Sequence, residues 1–124
     1  MAEGWEGVRF MDVVSAFPEL PEPEFPVTTI CGSMRYFDQM IECARNLTES
    51  GEVVIMPFSV RQDDEMKEKL GRMHRQKIEM ANTVVVVGAY ADISTREEIA
   101  FARELDIPVA YWDVESYEEL RTEW

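Results

Sequence analysis

The sequence predicts an α/β domain: an open, doubly wound, mainly parallel sheet of four to five strands flanked by helices. Three observations carry this reading. Val84-Val85-Val86-Val87 is an uninterrupted β-branched run, the pattern of a strand buried on both faces beneath helices. Short apolar runs alternate with segments of helical period along residues 27–112. The connections are short, and parallel neighbours require crossovers, which are almost always right-handed.

The elements follow in order. Val27 to Cys31 is a short buried strand. Gly32-Ser33 leads into a helix in which Phe37, Met40, Ile41, Ala44 and Leu47 recur at helical spacing, with Gly51 in its C-cap region. Val53 to Met56 forms a second strand, closed by Pro57. Residues 62–81 read as a long helix with a stripe of Met66, Leu70, Met73, Lys77 and Ala81, and Ile78 beside it. Val84–Val87 follows, then a loop from Gly88 to Ile93. Ser94 or Thr95 caps a helix running to about Leu105, with Ile99, Ala102 and Leu105 inward. Pro108 to Trp112 is a fourth strand and Ser116 to Arg121 a short last helix. The sum is a Rossmann-like or flavodoxin-like sheet.

Residues 1–26 form a separate arm, because four prolines fall between Phe17 and Pro26 and proline restricts both itself and its predecessor. Val8, Met11, Val13 and Val14 give the arm one short apolar side. Residues 27–124 make the α/β domain.

Composition narrows the function. At 124 residues, 46% hydrophobic and 30% charged, the chain is one globular domain able to bury its own core. No apolar run approaches the roughly 20 residues of a membrane helix, and Met1 to Arg9 lacks a signal-peptide core, so a cytoplasmic location is expected. Cys31 and Cys43, with a single histidine, cannot close a structural zinc site and read as small buried residues. A net charge of −13 repels the phosphate backbone of DNA or RNA, which excludes polymeric nucleic acid as a natural partner but not a small anion.

In open α/β sheets, ligands bind beyond the carboxyl ends of the strands, where strand order reverses. After the first strand, Gly32 permits a tight turn and close ligand approach, and Ser33 supplies a hydroxyl. The N–H groups that open the next helix favour an anion, and Arg35 adds a fork of donors. An ordinary strand-to-helix turn fits the same run. The loop after Val87 carries Asp92-Ile93-Ser94-Thr95-Arg96-Glu97-Glu98. A capping box accounts for one of its glutamates, though not for Asp92 and Arg96 as well. Glu98 precedes Ile99 and sits four before Ala102, so it points to the sheet side and the cleft. His74 is the one side chain whose ordinary pKa lies near neutrality, suited to assisting a leaving group or to none if it faces solvent. Arg75 and Lys77 read as solvated helix charges.

Ile30-Cys31-Gly32-Ser33-Met34-Arg35, followed by Asp92-x-Ser94-Thr95-x-x-Glu98-Ile99-x-x-Ala102, resembles the nucleoside 2-deoxyribosyltransferase superfamily. The first motif is most similar to the 2'-deoxynucleoside 5'-phosphate N-hydrolase branch. The resemblance spans about residues 27–112 and implies a glutamate nucleophile, matched by Glu98, that displaces the base to form a glycosyl-enzyme. It implies that Asp92 helps hold the substrate and that Ser33, Arg35 and Ser94 hold a 5'-phosphate. Arg96 matches no family position but lies within reach of the same anion. Two positions depart from the pattern. His74 stands where relatives place an aspartate that handles the base, and Thr29 where they often place a tyrosine.

The expected activity is therefore N-glycosidic cleavage of a (deoxy)nucleoside 5'-monophosphate. A deoxyribosyltransferase, a non-catalytic nucleotide-binding module and an interaction protein working through its arm are the alternatives. No cofactor or metal is called for. The small-molecule partner is a nucleotide or nucleoside, and the resemblance implies a homodimer or larger homo-oligomer.

Overall fold

A computed structural model describes residues 22–61 and 63–112. It contains four parallel strands: β1 (Val27–Cys31), β2 (Val53–Ile55), β3 (Thr83–Val87) and β4 (Val109–Trp112). Between them run α1 (Phe37–Glu49), entered through a 3-10 turn at Met34–Tyr36, then α2 (Asp64–Glu79) and α3 (Ile93–Glu104). The sheet order is β2-β1-β3-β4, so the chain first steps to one side of β1 and then crosses to the other. The predicted α/β architecture is the observed one, a four-stranded flavodoxin-like sheet. Most of the arm and the expected helix at 116–121 lie outside the described residues.

Alternation along the strands builds two cores. Ile30, Val85 and Val87 point to the face covered by α1, where they meet Met40 and Cys43. Cys31, Val84 and Val86 point to the other face, where Ile78 of α2 and Ile99 and Ala102 of α3 close over them. Val84 to Val87 are all buried, as a strand covered on both sides must be. Polar groups fix the register. Asn82 accepts from the Val27 amide at 2.8 Å through its side chain and donates its own amide to the Val27 carbonyl at 2.8 Å. Thr28 bonds to Glu52, and Thr29, 2% exposed, donates to the Lys77 carbonyl at 2.7 Å, pinning the end of α2 to β1.

Several boundaries differ from expectation for identifiable reasons. β2 ends at Ile55, and the Met56 carbonyl just beyond it accepts from the Lys77 ammonium at 2.9 Å. The expected stripe along 66–81 is partly buried except at Met73, which is 45% exposed, and Ile78 beside it is the fully buried residue. Only the last turn of α2 reaches the core, since its middle borders a cavity. Helix α3 is capped by Asp92, whose carboxylate accepts from the Thr95 amide at 2.9 Å, and not by Ser94 or Thr95. Leu105 is 43% exposed, and α3 ends through a left-handed Asp106 at φ 58°.

Gly32 has a packing reason beyond turn formation. Its φ is +152°, and a Cβ there would lie 2.5 Å from the Val87 carbonyl oxygen, so only glycine lets the ends of β1 and β3 sit side by side. Gly32→Ala is expected to destabilise the fold by about 1–3 kcal/mol, measured as a lowered urea midpoint with an unchanged slope.

Candidate active site

Strand order reverses between β1 and β3, and a cavity of about 360 Å3 opens at their carboxyl ends. Its walls are residues 32–34 after β1, residues 57–59 after β2, the start of α3, and the flank of α2 around Gly71 and His74. The volume lies in the range of small-molecule sites. Gly32, Ser33, His74, Asp92, Ser94 and Glu98, six of the residues singled out from sequence, all border it. Arg35 and Arg96 are not among its lining residues. Arg35 stacks over the rings of Tyr90 and Tyr36, 5.7 and 6.0 Å from their centroids, and so ties the loop after β1 to the loop after β3. Arg96 donates from Nε to the Ala91 carbonyl at 3.2 Å and braces the loop that leads to Asp92.

The start of α3 sets the acidic wall. Asp92 has extended backbone geometry and caps the helix, so its carboxylate is fixed by Thr95, which is itself 1% exposed. Ser94 and Glu98 are four residues apart on one helical face and border the same space. Glu98 keeps only 19% of its side chain exposed. Burial pushes its carboxyl up to about 7, with Asp92 and Glu97 adding to the rise and Lys77 opposing it. Near neutral pH this group therefore passes between acid and carboxylate.

His74 faces it from α2, with Nδ1 3.8 Å from a Glu98 carboxylate oxygen. That distance is too long for a hydrogen bond. Burial, and then the charge of Lys77, lower the His74 pKa, so the ring is neutral at pH 7 and the contact is a close approach, not an ion pair. Its Nε2 is buried and has no hydrogen-bond partner among the described residues. A buried ring nitrogen without a partner is costly unless something else satisfies it.

Lys77 departs from expectation. Its ammonium is not a solvated surface charge: it bonds to the Met56 carbonyl, lies 5.5 Å from the Phe58 ring centroid, and helps keep Glu98 ionised. Its own pKa is lowered by burial, which outweighs the attraction of Glu98. The signal was a lysine interrupting an otherwise apolar helix stripe, one turn after His74. Phe58 was also missed. It is 61% exposed on the cavity wall, supported by Phe37 with ring centroids 6.4 Å apart. Cys31 and Cys43 are buried free thiols, as expected, and burial beside Glu98 raises Cys31 well above the ordinary thiol range.

A carboxyl whose folded pKa exceeds its unfolded value costs stability once pH rises past the unfolded value, and the cost is complete above the folded one. For Glu98 the window runs from about 4.5 to about 7. Glu98→Gln removes the cost. The variant is expected to match the parent near pH 4 and to exceed it by up to roughly 3 kcal/mol at pH 8, read from urea unfolding at both pH values.

No helix of the described residues is long and apolar enough to cross a membrane. No protein-family model matches the chain, and no curated protein matches it.

Proposed function

We propose that the chain hydrolyses the N-glycosidic bond of a ribo- or 2'-deoxyribonucleoside 5'-monophosphate, with Glu98 as nucleophile. The observation that carries this reading is a largely buried carboxyl on the wall of a strand-end cavity, 3.8 Å from a neutral histidine on the same wall. The Glu98 carboxylate attacks the anomeric carbon as the bond to the base breaks and its electron pair leaves with the base. His74, a neutral imidazole on the same wall, stabilises the charge that develops on the departing base. Water then attacks the anomeric carbon and frees the carboxylate. Its hydroxyl stays on the sugar and its proton ends on the base, so the products are free base and a sugar phosphate. Asp92 borders the sugar side, while the Ser33 and Ser94 hydroxyls offer donors to the phosphate.

A second reading, a nucleoside deoxyribosyltransferase, draws on one observation. Asp92, Glu97 and Glu98 line the cavity against one lining cation, Lys67, so an uncharged nucleoside meets less repulsion there than a phosphate does. In that reaction a second base, not water, resolves the glycosyl-enzyme.

Incubation with a panel of nucleosides and their 5'-monophosphates, with free base measured by chromatography, separates the readings. Base release from the monophosphates supports hydrolysis, and exchange between nucleosides supports transfer. Binding without release leaves a nucleotide-binding module. Glu98→Ala is expected to lower base release at least ~1000-fold. The parent kcat/KM is expected to climb with pH to a plateau above about 7, the ionisation of Glu98. Lys77→Met removes the charge that favours this carboxylate and shifts the limb to higher pH, whereas the phosphate's own ionisation near 6 stays put. An unmoved limb, or activity that survives Glu98→Ala, rejects the assignment.

A further inference from the structure

A second cavity, of about 320 Å3, lies in the valley between α2 and α3. It adjoins the first: Gly71, His74, Ser94, Glu97 and Glu98 border both. The facing stripes explain this. Gly71 and the pair His74/Arg75 lie one turn apart on α2, and Ser94, Glu97/Glu98 and Phe101 follow at the same spacing on α3. The His74–Glu98 pair therefore stands at a junction, with space on either side.

Gly71 is the unexplained residue in this arrangement. It occupies the middle of a sixteen-residue helix, where glycine is less favourable than alanine. Glycines inside helices commonly permit close packing, but a Cβ built on Gly71 meets nothing within 4 Å. Its backbone has no positive φ that would require glycine either. What the missing side chain leaves open is the space shared by the two cavities.

Resting on the glycosidic reading above, we propose that the α2–α3 valley seats the planar heterocyclic leaving group, and that Gly71 stays bare to connect this seat with the sugar side. The walls suit such a ligand. Ala100 and Phe101 give an apolar surface, and Arg75 and Glu104 at the margin supply one cationic donor and one anionic acceptor. The His74 ring borders the same space, at the junction with the first cavity. The acidic first cavity then keeps the sugar, and the bond to be cleaved spans the junction at Glu98.

The test uses the 15N-labelled full chain titrated separately with free adenine, guanine, cytosine and thymine, and with 2-deoxyribose 5-phosphate. At least one base is expected to shift the amides of Arg75, Ala100 and Phe101, and the sugar phosphate those of Gly32 and Ser33. Ala100→Leu fills the exposed wall of the valley alone. It is expected to weaken base binding at least tenfold while leaving sugar phosphate binding within twofold. Gly71→Ala is expected to raise the thermal midpoint and yet weaken base binding. Base shifts confined to residues 32–34, no base shifts at all, or unchanged base affinity in both variants overturns the proposal. The two readings fail separately. Base binding in the valley by a chain that releases no base upholds the seat and rejects the glycosidase. Base release without valley binding rejects the seat alone.

Discussion

Taking the Glu98 carboxyl out of water disfavours its charged form, and its surroundings compensate only in part. Lys77 is the cation that favours ionisation, and its own ammonium is committed to the Met56 carbonyl. Asp92 and Glu97 push the other way. The fold can hold such a group because the rest of α3 is well anchored: Asp92 caps its start, and Thr95, Ile99 and Ala102 are buried. The cost of Glu98 is thus carried by neighbours that pack conventionally. A carboxyl poised to titrate near neutrality, beside a histidine held neutral, is the arrangement in which environment separates the roles of two titratable groups.

Sheet topology brings these groups together. Because β1 and β3 are adjacent while their outgoing helices lie on opposite faces, the loops after them diverge and leave space at the strand ends. Gly32 lets the two strands end in contact, and the Arg35 stack on Tyr36 and Tyr90 spans the gap above them. Arg35 and Arg96, expected to meet an anion, also brace these loops.

Much of this was legible in the sequence because it rests on period. The Val84–Val87 run, the helical spacing of Met40 and Ala44, and the glycine after α1 are local signals of strand, helix and cap. Glu98 was legible because helix phase, four residues before Ala102, fixes its direction. Other features depend on neighbours that are distant in sequence. Ser94 and Thr95 are as good capping residues as Asp92, and only the backbone geometry at Asp92 decides between them. Lys77 turns inward because the β2 carbonyl of Met56 and the Phe58 ring lie opposite it. Arg35 finds Tyr90, 55 residues away. The openness around Gly71 exists only once α2 and α3 are side by side.

Covalent trapping tests the account at its centre. The full chain is mixed with a nucleoside 5'-monophosphate that releases base, quenched in acid within the first turnover, and digested with trypsin, which cuts after Arg96 and Arg103. The account predicts a sugar phosphate on the peptide spanning residues 97–103, with fragmentation placing it on Glu98. An adduct on Glu97, or base release with no adduct on this peptide at any quench time, contradicts it.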